Sequence, residues 1–273
     1  MSGADIAGRW DCHAHLFGPY GQYPLAPERS YTPPEAALPA YLAVQARLGM
    51  SHGVLVHPSA YGDDHSLLLD TLAQQPALRG VVVVRPGSPL SLKGLRAQGV
   101  RGARFSCRSG AGTNFFGSAS LDDLVTLAPA LAEEGLHAEL WTDCDILPEI
   151  SQIVSALPVP VVIDHMAGFN VGRGVDDAGF RSLLELLAGG QVWVKLCAYR
   201  NLLKQPDWSG GEAFQKAMLE TRADRLVWGS DWPHLNLPQA PDTALLLDLF
   251  QQWTRSPADI EQVLVDNPAR LYA

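Results

Sequence analysis

Asp11-Cys-His-Ala-His15 sets two imidazoles at alternate positions near the end of an apolar run, Gly8–His15. Alternate residues of an extended strand share a face, so His13 and His15 point the same way, about 6–7 Å apart along it. Such a pair can hold one metal ion or one substrate oxygen; the plainer reading is two core histidines with satisfied rings. Other apolar runs also end in reactive residues. Val227-Trp-Gly-Ser-Asp-Trp-Pro-His234 closes on small residues, a carboxylate and Trp-Pro, which turns the chain outward. Asp231 there can take a proton from water as a general base, its alternative role being a helix cap. His234 reads either as a partner of that carboxylate or as a surface residue. Val161-Val-Ile-Asp-His-Met166 ends a third run in His165, with Asp164 expected to face away from it. Arg104, Arg108, Lys195 and Arg200 bring positive charge to the same level of a chain whose net charge is −9. Guanidinium forks bind carboxylates bidentately, so these residues point to an anionic, carboxylated small molecule. Tyr31, Ser59 and Tyr61 are candidate hydrogen-bonding partners for it, and Cys12, alternating against His13, is expected to be an inert thiol on the opposite face.

The elements that must position these residues alternate regularly. Strand candidates are Gly8–His15, Gly53–Ser59, Gly80–Arg85, Val100–Ser106, His137–Asp143, Val159–His165, Gln191–Leu196 and Leu226–Asp231. Amphipathic stretches lie between them, among them Pro34–Leu48, Leu121–Glu134, Asp145–Ala156, Gly179–Leu187 and Thr243–Trp253. Asp145 reads as an N-cap, and Gly49 and Gly135 read as helix ends. This alternation predicts parallel strands with crossover helices. A doubly wound sheet would alternate in the same way, but eight units without a GxGxxG turn favour a (β/α)8 barrel. The 273 residues suit one such domain spanning 1–273. A barrel builds its site at the C-terminal ends of its strands, and the polar residues fall there: His13 and His15, His57 and Ser59, Arg104, Trp141 and Asp143, His165, Lys195, Asp231. We therefore expect Asp11, His13, His15, His165 and Asp231 at an active centre.

Composition closes off other classes. With 47% hydrophobic and 18% charged residues the chain reads as globular. Its acidic balance argues against nucleic acid, and its apolar runs are too short to span a membrane. Met1–Trp10 carries no basic segment followed by an apolar one, and Cys12, Cys107, Cys144 and Cys197 form no CxxC. Both features lead to the expectation of a cytoplasmic protein with reduced thiols, monomeric or homo-oligomeric. There is no GxSxG elbow, and the glycines of Gly110–Gly117 lack the pattern of a phosphate loop.

Taken together, Asp11-Cys-His-Ala-His-Leu-Phe-Gly-Pro19, Ile163-Asp-His-Met166, Trp228-Gly-Ser-Asp-Trp-Pro-His234 and Asn267-Pro-Ala-Arg-Leu-Tyr272 resemble the amidohydrolase-2 group, and within it the 2-pyrone-4,6-dicarboxylate lactonases. The resemblance implies a distorted (β/α)8 barrel that hydrolyses a carboxylated lactone without a cofactor. Asp231 would deprotonate the attacking water, and His13, His15 and His165 would polarise the carbonyl. Tyr31, Ser59, Arg104 and Arg200 match positions that bind substrate. The chain departs from the pattern at Trp141, where the family has tyrosine, and around Phe169, where an arginine is replaced. Many amidohydrolases hold metal. The set here, His13, His15, His165 and Asp231, suits a single Zn²⁺ by ligand count, though using all four leaves a tetrahedral ion no open position. The expectation is metal-independent hydrolysis. A sugar-acid lactone isomerase or lactonase, a Zn-dependent decarboxylase and an inactive carboxylate-binding protein are the alternatives.

Overall fold

The protein is described from a computed structural model covering residues 8–110, 114–203, 208–237 and 239–273. Most of the Met1–Trp10 segment read for an export signal, and part of the 110–117 glycine stretch, lie outside the described residues. Eight parallel strands run in sequence order: β1 Trp10–Ala14, β2 His52–Val56, β3 Leu78–Val82, β4 Val100–Cys107, β5 His137–Thr142, β6 Val161–Ile163, β7 Val192–Leu196 and β8 Leu226–Trp228. Crossover helices are α1 Leu38–Leu48, α2 Ser66–Gln74, α3 Leu121–Glu133, α4 Leu147–Ala156, α5 Ala178–Ala188 and α6 Gly211–Arg222. After β8 come α7 Thr243–Thr254, α8 Pro257–Glu261 and α9 Asn267–Tyr272. Between β3 and β4 a 3₁₀ turn, Arg96–Gln98, replaces the helix. The expected (β/α)8 barrel is the fold, with each strand paired to the next.

Short-range chemistry sets the helix ends. Ser120 and Asp123 form a capping box on α3, Asp177 caps α5 and Asp242 caps α7. Gly49 ends α1 in the left-handed region that glycine enters without a Cβ penalty. The expected Asp145 cap is corrected: Ile146 holds that position on α4, and Asp145 instead pairs with Arg173. Helices α2 and α6 were not among the stretches read from the sequence. In α6 the buried face is only Phe214, Gln215 and Met218 after Gly211, too sparse a stripe to stand out.

Two apolar layers hold the barrel. The larger packs the helices onto the strands. A second, Cys12, Val54, Val56, Val81, Val162 and Val227 with Trp10 and Tyr272, fills the lumen. Strand β1 is irregular: Asp11 lies opposite Gly53 but Ala14 opposite Leu55, three residues against two. This overturns the expectation for Cys12, which turns into the lumen next to His13 instead of away from it, while Asp11 faces α1, where Tyr41 donates to it. The barrel closes where β1 meets the segment after β8. Asp231 N donates to His13 O, and His15 N donates to Trp232 O, each at 2.8 Å. Gly229 permits this approach, because a Cβ there would lie 2.6 Å from that of His13. No helix among the described residues is long and apolar enough to cross a membrane.

Candidate active site

Barrel closure itself assembles the centre, since the residues that exchange the closing hydrogen bonds are those whose side chains meet. His13 Nε2 lies 3.3 Å from His15 Nε2, and Asp231 Oδ1 lies 3.7 and 3.5 Å from the same two nitrogens. His15 Nδ1 is 2.7 Å from Val56 O, an acceptor only, so Nδ1 carries a hydrogen and the carbonyl fixes the ring. The His165 ring is 4.8 Å from that of His13, and its buried Nδ1 has no hydrogen-bond partner among the described residues. Burial holds His165 down at about 4, against the pull of Asp231 and Asp164, so the ring is neutral near pH 7.

Two of these residues sit where L-amino acids rarely go. His165 has φ 51° and Asp231 has φ 57°, both left-handed. At His165 the left-handed turn carries Asp164 inward as well, so the expectation that Asp164 faces away is wrong. Its carboxylate is buried beside His13 Nδ1 at 3.4 Å, Arg104 Nε at 2.7 Å and Lys195 Nζ at 3.3 Å. Lys195 is not a rim cation either; it lies fully buried beneath the histidines, 3.0 Å from His13 Nδ1 and 2.6 Å from Glu139 Oε1. Burial, then the Lys195 charge, hold the His13 imidazole well below its ordinary value.

Asp231 is 2% exposed. Its Oδ2 accepts from Tyr199 OH at 2.7 Å and from Arg200 Nε. Burial favours the protonated acid, but Arg200 and the surrounding histidines overcome it and keep the carboxyl well below the usual range. It caps no helix. His234 is buried against Tyr199 and Thr243, which excludes the surface reading. Asp11 is a supporting residue. It accepts from Ser230 N at 2.8 Å, Ser230 Oγ at 2.6 Å and Tyr41, outside the cavity, so its expected place at the centre itself is corrected.

Above this floor opens a cavity of about 670 Å³. Arg104, Arg108 and Arg200 line it, with Tyr31, Ser59 and Trp141. The Trp141 ring carries the Arg104 and Arg108 guanidiniums at 4.9 and 4.3 Å, and Tyr31 is hydrogen-bonded to Ser59. All five expected substrate-binding residues therefore reach one space. Sequence reasoning missed Tyr199, Phe115, which packs on Trp141, and the Glu139–Lys195–Asp164 chain. A signal for the last was present: Glu139 and Lys195 are charges inside apolar strands, and buried charges are paired.

The amidohydrolase family profile matches residues 10–273. The chain belongs to the amidohydrolase family. This amidohydrolase is 34% identical over 279 residues to a 2-pyrone-4,6-dicarboxylate hydrolase of Comamonas testosteroni, spanning 97% of this chain and 90% of that protein. It is 32% identical over 272 residues to a 4-sulfomuconolactone hydrolase of Rhizobium radiobacter, with 97% and 90% covered. Among solved structures, a Pseudomonas putida protein named for 2-pyrone-4,6-dicarboxylic acid hydrolysis superposes with a TM-score of 0.83 at 30% identity, covering 97% of each chain.

The amidohydrolase's donors can be tested against a metal. His13 Nε2, His15 Nε2 and Asp231 Oδ1 form a triangle with edges of 3.3, 3.5 and 3.7 Å. A tetrahedral ion with bonds of about 2.0–2.2 Å has edges of this size, so the triad fits one Zn²⁺ and leaves a position open. His165, the fourth residue of the conditional metal set, falls in separate groupings, with His13 and Asp164 or with Cys197 and Asp231. The same atoms also satisfy one another without an ion. With Lys195 donating to Nδ1, His13 carries its hydrogen on Nε2, 3.3 Å from His15 Nε2.

Buried histidines give the amidohydrolase an acid-sensitive fold. Burial depresses His57 and His137, and brings His234 to about 4, whereas the unfolded chain binds these protons near pH 6.5. Stability is complete above that pH and is lost as the pH falls from about 6.5 toward 4. Asp11, raised by burial to about 6, acts oppositely and offsets part of the loss between pH 6 and its unfolded value of 3.8. We expect a lower melting temperature at pH 4.5 than at pH 7 by calorimetry; an unchanged or higher value would contradict this.

Proposed function

We propose that this amidohydrolase adds water to the ring ester of a carboxylated lactone, 2-pyrone-4,6-dicarboxylate or a close analogue. The observation that carries the reading is Asp231 meeting His13, His15 and His165 at the floor of a cavity lined by three arginines. The two named relatives support it, since their names specify a dicarboxylated pyrone and a sulfonated lactone, each an anionic cyclic ester.

Asp231 takes a proton from water as its oxygen bonds to the lactone carbonyl carbon. The His165 ring, which lines the cavity, and the His13 Nε2–H beside it donate to the oxygen that becomes negative. His15, anchored on Val56 O, packs its ring against His13 and fixes that ring in the site. When the tetrahedral adduct collapses the ring C–O bond breaks, and the departing oxygen takes the proton that Asp231 carried. Arg104, Arg200, Tyr31 and Ser59 hold the substrate's carboxylates and oxygens, and Trp141 forms a flat wall for its ring. A divalent ion on His13, His15 and Asp231 would polarise the carbonyl and acidify water; the reaction as proposed requires none.

Metal content and turnover of a panel of carboxylated lactones, with and without chelator, test the reading. Chelator-resistant hydrolysis is expected. Activity lost to chelator and restored by Zn²⁺ would reject the metal-free mechanism, and failure to turn over any carboxylated lactone would reject the substrate class.

A further inference from the structure

Two of the cavity's arginines are tied down in different ways. Arg104 holds Asp164, which is fully buried, and its guanidinium carbon lies 4.9 Å from the centre of the Trp141 ring. Arg200 sits on the short 3₁₀ turn Tyr199–Leu202, its side chain a quarter exposed, and holds Asp231. Its bond from Nη1 to Leu235 O is long, 3.3 Å, and its guanidinium carbon lies 5.2 Å from the centre of the Tyr199 ring. It stands at the cavity wall, where it can turn toward an incoming anion. The carboxylate it holds is the group the proposed reaction uses as base.

We propose that Arg200 is a substrate-operated latch on Asp231: in the free protein its guanidinium occupies Oδ2, and an anionic group of the bound lactone draws it off. The inference rests on Asp231 being the base. A carboxylate oxygen already accepting from a guanidinium and from the Tyr199 hydroxyl has little capacity left for a water proton. Its other oxygen faces two imidazoles at 3.5 and 3.7 Å. When Arg200 leaves, Tyr199, 2% exposed and backed by His234, stays and keeps the carboxylate oriented. A neutral lactone offers the guanidinium nothing in exchange, so the latch stays shut. Discrimination for anionic substrates then falls on turnover as well as on affinity, since the substrate's own charge completes the base.

The test is a double-mutant cycle read by calorimetric binding of phthalate, a dicarboxylate with no ester to hydrolyse. In Asp231→Asn, Arg200 has no anionic partner and is free, and phthalate should bind about tenfold more tightly than to the wild type. In the Arg200→Met background the same Asp231→Asn change should alter phthalate affinity by less than about twofold. Equal tightening in both backgrounds would mean only the loss of a nearby negative charge and would overturn the latch. So would an Asp231→Asn protein that does not bind phthalate. Arg200→Gln, which retains a donor for Asp231, replaces Arg200→Met should the latter fold poorly. A kinetic arm compares a carboxylated lactone with its carboxamide. Arg200→Met should lower turnover of the first and raise that of the second, and a parallel fall of both overturns the proposal. If no lactone is turned over while the phthalate cycle behaves as expected, the proposed reaction fails, and what stands is the exchange of the Arg200 guanidinium between Asp231 and a bound anion.

Discussion

Asp231→Asn lowers kcat by at least about a hundredfold while leaving the fold intact, because the amide keeps the shape of the side chain and loses its basicity. The native carboxylate is buried, accepts from Tyr199 and Arg200, and faces His13 and His15. An amide oxygen can still accept from Tyr199, so the circular-dichroism spectrum should be retained. Single-turnover measurements on a carboxylated lactone check the result, and turnover within about tenfold of wild type would remove Asp231 from the role of base. The left-handed backbone at Asp231 favours this particular change, since asparagine is among the residues best tolerated there.

Lys195→Met destabilises the protein by about 3–5 kcal/mol, the usual cost of removing one partner from a buried ion pair. Lys195 is fully buried. Burial works against its charge, and Glu139 and Asp164 overcome this and hold the ammonium above its ordinary value. Without it Asp164 keeps Arg104, but among the described residues Glu139 retains only the more distant His137 at 3.6 Å and the Tyr272 hydroxyl at 3.4 Å. Urea unfolding gives the loss directly, and adding Glu139→Gln to Lys195→Met should restore about half of it by removing the orphaned charge. A single-variant loss below about 1 kcal/mol would show that the interior charges are independently solvated.

The barrel and much of its site were legible because their signals are local. Apolar runs with turn residues between them mark parallel strands wherever they lie in the chain, and runs ending in His13, His15, His165 and Asp231 identify the rim by position alone. Arg104 and Trp141, on the adjacent strands β4 and β5, were equally readable. What escaped depended on departures from regular backbone. Strict alternation assigned Cys12 to the face opposite His13 and Asp164 to the face opposite His165. A third residue against two in β1 and a left-handed turn after β6 reversed both assignments.

The sequence by itself determined the eight-unit alternation, the family resemblance and the identity of the groups able to do chemistry, because side-chain type and strand periodicity are properties of short segments. Only the tertiary structure decided which groups partner which. Asp11 went to support Ser230 rather than to the cavity, Lys195 went under the histidines, and Arg200 went onto Asp231. Residues 182 positions apart, such as His13 and Lys195, meet through barrel closure, and a buried charge takes the partner that closure brings within about 3 Å. That choice depends on the whole ring of strands, so no segment read alone contains it.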